Sequence, residues 1–393
     1  MSTAQRRREY AGPPLFSYGF RPFFLSAAVW ATAAVPLWVW TFLGGPLAID
    51  RNWHVHEMLF GVIAAVVAGF LTTAVPNWTG RMPVIGAPLA GLWILWLAGR
   101  IAMLTPPAFA PWAAVIDSAF LVVFAGVIAR EVLAGKNWRN LPIALLTGVL
   151  ALANIGFHLD TAVGLGGLNL GGMGERVAIG VVAIMLALIG GRVTPSFTRN
   201  WLKARAIAVE PAVFGIVDKA ALVLTVAAML LWVVLPTTAP VGALLVLAGL
   251  VHAVRLWRWR GWAARRDPLV AILHVGYGWL IPGLILLGLG VAGLIPSSAG
   301  LHALTAGAMG VMVLAMMTRA SRGHTGRPLQ ADRTTVAIYL AANLATILRV
   351  AAPLVPEAMA GLLGLAALLW GLAFGGFAIV YGRMLVTPRP AKA

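Results

Sequence analysis

The chain of 393 residues contains no cysteine. Disulfides and thiolate-bound metals are therefore excluded, and any iron or copper has to be held by histidine, methionine, tyrosine or carboxylate. Charge is also scarce: 10% of residues are Asp, Glu, Lys or Arg, against about 25% in an ordinary soluble protein. That deficit, with an apolar and aromatic share of 61%, excludes a water-soluble globule. Acids are scarcest, 12 against 29 Lys and Arg, for a net charge of +17. In a soluble chain such an excess would point to nucleic acid. Here the bases fall between apolar runs long enough to span a bilayer, so a membrane explanation comes first and no nucleic-acid partner is expected. No Walker, Rossmann, nucleophile-elbow or kinase signature stands in a suitable context. Gly164-Leu165-Gly166-Gly167 lies in a predicted external loop with no strand before it, which makes it a poor phosphate cradle.

What is present is a succession of apolar segments at 22–43, 55–75, 86–104, 112–130, 140–159, 175–194, 212–235, 239–257, 268–294, 299–318, 334–352 and 358–382. At about 20 residues per span these predict an all-α, polytopic bundle of about twelve transmembrane helices, with 1–393 forming a single transmembrane domain. The connecting segments alternate in charge as the positive-inside rule requires. Arg6, Arg7 and Arg8 precede the first span, and Arg81, Lys136, Arg139, Arg199, Lys203 and Arg205 mark even-numbered loops. Arg255 to Arg266, Arg319 to Arg333 and the tail bases Arg383, Arg389 and Lys392 continue the pattern, whereas loops three, seven and nine have no base. Both termini are expected in the cytoplasm, and nearly all of the positive excess is an orientation signal. The first apolar run is longer than a signal-peptide core of about 7–15 residues, so an uncleaved first helix is expected.

The seven histidines sort by depth. His54 and His56 open the second span, His158 closes the fifth and His302 lies in the first turn of the tenth, all toward the outer face. His252 and His274 lie within about 10 Å of the inner face, with His324 in the adjacent loop. A lone histidine near a helix end is usually an interfacial hydrogen-bonding residue. Two groups of them in a cysteine-free membrane chain point instead to a metal held by imidazole. Residues two apart on a helix point about 200° apart, so His54 and His56 would serve different centres on a regular helix. Glu57 is placed to orient an imidazole or relay protons, or simply to suit a helix N-terminus. His302, Met309, Met312 and Met316 share one helical face, readable as a Cu(I) path or as flexible packing. His274 and Tyr277 share another, as a haem ligand and a nearby phenol would. Arg192, Arg199, Arg319 and Arg322, in glycine-rich inner segments, suit haem propionates, another anion, or topology alone.

Several longer motifs carry a family resemblance: Phe16-Ser17-Tyr18-Gly19-Phe20-Arg21-Pro22, the run from Trp53 to Gly61, Pro76-Asn77-Trp78-Thr79-Gly80, the segment from Gly191 to Asn200, Ile272-Leu273-His274-Val275-Gly276-Tyr277, and the stretch from His302 to Arg327. Together they resemble the NnrS family over nearly the whole chain. The resemblance implies a polytopic bacterial inner-membrane protein with haem and copper, linked to denitrification and nitric oxide resistance. It attaches most firmly to His54, His56, His274, His302 and His324, and less to His158 and His252. The chain is more loosely similar to haem-copper oxidases, but it lacks their adjacent His-His pair and His-x-x-x-Tyr spacing.

The expectation is thus a protein that binds haem b and copper through histidines and acts on or senses nitric oxide or a related small molecule, with the bilayer and an electron donor as partners. His54, His56, His302 and His158 are the expected outer metal ligands. His274 with His252, joined by His324, are expected to hold an inner haem, with Arg192, Arg199 and Arg319 on its propionates. Glu57 and Tyr277 are the candidate catalytic groups. Two alternatives stand beside this: a nitric oxide reductase-like enzyme with a proton route through Glu57 and Asp117, and a metal-free secondary transporter. Halves with pseudo-symmetry would favour transport, and no repeat is visible between 1–195 and 200–393. Optical spectra and metal analysis of the purified protein should show a Soret band and bound copper; a colourless, metal-free preparation would end the metalloprotein reading.

Overall fold

A computed structural model describes residues 10–47, 49–81, 83–105, 109–161 and 172–390. Arg6, Arg7, Arg8, Lys392 and the glycine-rich stretch 164–167 lie outside the described residues. Among those described, eleven helices are long and apolar enough to cross a membrane, and a shorter one of 16 residues falls on the remaining expected span. In chain order they are α1 Phe20–Phe42, α2 Arg51–Thr79, α3 Ala87–Ala102, α4 Ala110–Ala134, α5 Trp138–Asp160, α6 Met173–Lys203, α7 Ile216–Val234, α8 Ala239–Arg258, α9 Pro268–Val291, α10 Ser297–His324, α11 Arg333–Leu354 and α12 Pro356–Val386. The polytopic all-α architecture read from the sequence is present, each helix overlapping the span expected for it. Its outward side chains are apolar, such as Ile216, Val223, Leu230 and Ile379, as a lipid-facing surface requires.

Helix ends follow local chemistry. Asp50, Asp267 and Asp332 cap α2, α9 and α11 by accepting backbone N–H bonds from Trp53, from Leu269 and Val270, and from Thr335. Three of the few acids are spent in this way. Gly80 closes α2 in the left-handed conformation at φ 69°, which a side chain would resist. Helices α6 and α10 outrun their apolar segments: Arg192 to Lys203 and Thr318 to His324 continue as helix, because polar residues suffice where neighbouring helices support one side.

Sequential helices pack side by side, and α1 lies along α12 to close the bundle. Three helices are enclosed by the rest. In α2, α6 and α10, 78%, 67% and 67% of the central residues are buried, against 33–50% in the other long helices. The same three each contain a π-helical segment, Glu57–Ile63, Leu186–Gly190 and Ala303–Val311. The chain therefore repeats in thirds. In each of three four-helix blocks, Phe20–Ala134, Trp138–Arg258 and Pro268–Val386, the second helix is the inner, π-bulged one. A comparison of halves misses this period.

π-Segments loosen the helical ladder and leave carbonyls for outside donors. Gly61 O accepts from the Trp96 indole N–H at 2.9 Å, and Ala187 O from the Arg255 guanidinium at 2.9 Å. Both donors arise from neighbouring helices, so the bulges of α2 and α6 are each held by a tertiary contact.

Where no hydrophobic effect drives helix against helix, close backbone approach holds membrane bundles together. Helices α8 and α9 meet this way at Gly242 and Gly288: a Cβ on Gly242 would lie 2.7 Å from the Gly288 carbonyl oxygen, and one on Gly288 2.5 Å from that of Gly242. Gly288→Val should lower stability by roughly 1–3 kcal/mol, measured by unfolding in detergent, whereas Gly364→Val, at an open position on α12, should be nearly neutral.

Candidate metal centre

Toward the outer ends of α2 to α5 lies a buried cluster of ionisable side chains. His56 is fully buried; its Nδ1 lies 3.0 Å from Glu57 Oε1 and its Nε2 2.9 Å from Asp117 Oδ2. His158 Nε2 reaches the same Asp117 oxygen at 3.0 Å. The Arg100 guanidinium bridges both acids, donating to Glu57 Oε2 at 2.7 Å and making a short bond to Asp117 Oδ1. Asn154 donates its amide to Asp117 Oδ2 at 2.9 Å while accepting from Ser118, which sets the orientation of the amide. The Trp30 indole N–H donates to Glu57 Oε2 at 2.5 Å. Gly61 makes room for this assembly, because a Cβ there would meet Arg100 Nη1 at 2.5 Å and Glu57 Oε2 at 3.0 Å.

The charges in this cluster nearly balance. With neutral imidazoles and both acids ionised, two carboxylates face one guanidinium, leaving one negative charge in excess in a buried site. Two cations can supply the missing positive charge. An ionised carboxylate only accepts hydrogen bonds, so with both acids ionised and no metal bound His56 would have to donate from both nitrogens. Alternatively a metal ion takes the place of the protons, because His56, Asp117 and His158 each offer a ligand atom and these atoms lie within 4.8 Å of one another. Two imidazoles and a carboxylate suit copper or another borderline divalent ion.

His54 points elsewhere. Its ring stacks on Trp38 of α1 at 5.3 Å and 15°, and its Nδ1 is buried with no partner among the described residues. His302, at the edge of the π-segment of α10, donates Nδ1–H to the Ser298 carbonyl at 2.8 Å. A carbonyl so placed fixes the tautomer and leaves Nε2 as the acceptor, the usual support for a metal-binding imidazole. His54, Arg51 and Arg349 lie within electrostatic range of His302. A separate cavity of about 510 Å³ is lined by Arg51, Asp160, Glu175, Arg176, Ser297 and Leu301 but by neither of these histidines, and Arg51 pairs there with Glu175 at 2.8 Å.

A family model for the NnrS protein matches residues 14–389. The chain belongs to the NnrS family. Membership makes it a polytopic inner-membrane protein of a family tied to haem, copper and nitric oxide. No curated protein matches it.

In this NnrS protein one inner histidine, His252, has both ring nitrogens engaged. His252 Nε2 bonds Thr225 Oγ1 at 2.7 Å, and Thr225 in turn donates to the Ala221 carbonyl. The imidazole is therefore the donor to Thr225, which leaves Nδ1 to accept from Tyr277 O–H at 2.8 Å. Tyr277 itself accepts from Arg255 at 2.7 Å, and Arg255 pairs with Asp218 at 2.8 Å. Both nitrogens of His252 are thus used within the protein. His274 donates Nε2–H to Thr198 at 2.8 Å by the same reasoning, since Thr198 donates to Thr194 O. Tyr277 accordingly serves His252 and not His274.

The remaining expected site residues disperse. His324 packs against Tyr18 and Phe20 at the start of α1, at ring distances of 5.1 and 5.5 Å. Arg192 donates to Asn140 and Arg199 to the Pro211 carbonyl, while Arg319 lies over Phe197 at 4.1 Å. Met309 and Met312 are buried in helix packing, and the π-segment between His302 and Met312 interrupts the regular spacing assumed for the methionine stripe.

Arg100, Asn154 and Trp30 were not anticipated. Arg100 reads in the sequence as an outer topology charge, yet it is 1% exposed. An arginine four residues inside the end of an apolar span, opposite an acid such as Asp117 within the next span, is a signal that could have been used. Arg100→Ala should destabilise the protein by about 3–5 kcal/mol, the cost of leaving buried charges unpaired. Adding Glu57→Gln to it should cost less than the sum of the single effects, as read from unfolding in detergent.

Proposed function

We propose that the protein binds haem b and copper through its outer histidines and acts in nitric oxide metabolism or protection against nitrosative stress. Copper is assigned to His56, His158 and Asp117, and haem to His54 and His302. The observations that carry the reading are the convergence of His56, Asp117 and His158, whose ligand atoms lie within 4.8 Å of one another, and the buried His54 Nδ1, which has no partner among the described residues.

Haem iron and copper would supply nitric oxide binding and electron exchange. The residues of the chain do the rest. Asp117 draws His56 and His158 together, Arg100 holds Asp117 and Glu57 in place, and Trp30 and Phe60 keep water from the cluster. Apolar nitric oxide dissolves in the bilayer and reaches such a site between helices without a polar channel. A reductase-like role would use Glu57 and Asp117 as proton carriers, a reading favoured by their direct bonds to His56. A transporter built from two repeated halves draws no support from a period in thirds.

Haem and copper content of the purified protein and its variants tests the assignment. His302→Ala should remove the Soret band and keep copper, His158→Ala should lower copper and keep haem, and His252→Ala should keep both. Haem that survives His302→Ala but is lost with His252→Ala or His274→Ala would return the haem to the inner face and overturn it.

A further inference from the structure

A cavity lies at the loop end between α6 and α9, lined by no histidine. It has a volume of about 660 Å³ and is walled by Trp201 and Arg205 at the end of α6 and by Trp262, Arg265 and Arg266 before α9, with Leu329 to Ala331 closing the third side. Three cationic side chains from two connecting segments thus meet around one concavity. Arg205 is positioned by its own ring contact, the guanidinium lying 4.2 Å over Trp201. Arg265 and Arg266 are exposed, and none of the three arginines forms an ion pair among the described residues. Asp267 also borders the cavity, but its Oδ1 already accepts from the N–H groups of Leu269 and Val270 at 2.9 and 3.3 Å. The indole N–H of Trp201 is buried with no acceptor among the described residues.

The positive-inside rule accounts for arginines on this face. It does not require them to converge, nor does it explain a buried donor left without an acceptor. We infer that this pocket binds a phosphate-bearing anion, and that the headgroup of an anionic phospholipid is the source its position favours. Guanidiniums bind phosphate oxygens in paired, charge-assisted bonds, and the Trp201 N–H supplies a neutral donor to the same group. Trp201 and Trp262 stand at the level where tryptophans sit among lipid headgroups. Basic pockets at helix ends on the cytoplasmic side are where acidic lipids are held. A free phosphate compound shares this chemistry and differs only in how it arrives. The inference does not depend on the metal assignment.

Native mass spectrometry of the detergent-solubilised full-length protein, titrated with phosphatidylglycerol, phosphatidylcholine or inorganic pyrophosphate, tests it. Phosphatidylglycerol should be retained in preference to phosphatidylcholine, and the double variant Arg265→Ala/Arg266→Ala should weaken retention by roughly tenfold or more. Trp201→Phe, which keeps the ring and removes the donor, should weaken it by a factor of a few, while Arg139→Ala on another inner loop should leave it unchanged. Saturable pyrophosphate binding that is lost in the double variant would uphold the phosphate site and assign it a soluble source. Equal retention of both lipids, or equal binding by wild type and the double variant, would overturn the inference.

Discussion

The bond between Arg100 and its two acids is the constraint on which the outer half of the molecule depends. None of Glu57, Arg100 and Asp117 is stable alone in a water-free interior, and they come from three different helices. α2, α3 and α4 are therefore tied at one depth and in one rotation. Everything nearby inherits this geometry: His56 is caught between the acids, His158 and Asn154 are drawn to Asp117, and Trp30 ties α1 to Glu57. The cluster also explains why α2 carries its π-segment there, since Gly61 must stay small beside the guanidinium while its carbonyl takes the Trp96 N–H.

A second network serves the inner half on the same principle with a different outcome. Asp218, Arg255, Tyr277, His252 and Thr225 form one directed chain of hydrogen bonds across α7, α8 and α9, ending on the Ala221 carbonyl. Every member has a partner, so the network braces the bundle and leaves no ligand atom over. On the outer side His56 and His158 converge on Asp117 and His54 Nδ1 has no partner among the described residues, and that arrangement makes these residues candidates for holding a metal.

Much of the fold was legible in the chain. Apolar run length and loop charge depend only on local composition, so all twelve helices overlap the segments expected of them. The divergence of His54 and His56 was also legible, because their separation on a regular helical turn is a property of the backbone. Helix ends were less so: α6 and α10 continue into polar residues where neighbours support them. The period in thirds was hidden, because burial and π-bulging are set by packing and leave little mark on the order of residues.

Sequence alone determined the class, the number of spans, the sign of each loop and the restriction of metal chemistry to histidine, methionine, tyrosine and carboxylate. It could also place the histidines by depth, since depth follows from counting along a helix. Only the tertiary structure decided which residues at a given depth face one another. It moved Arg100 from a presumed surface charge into a buried bridge and separated His252 from His274. It also set His302 beside His54 and brought Arg205, Arg265 and Arg266 around one pocket. Rotation of each helix about its axis is fixed by contacts between distant segments, and a linear pattern of residues does not contain it.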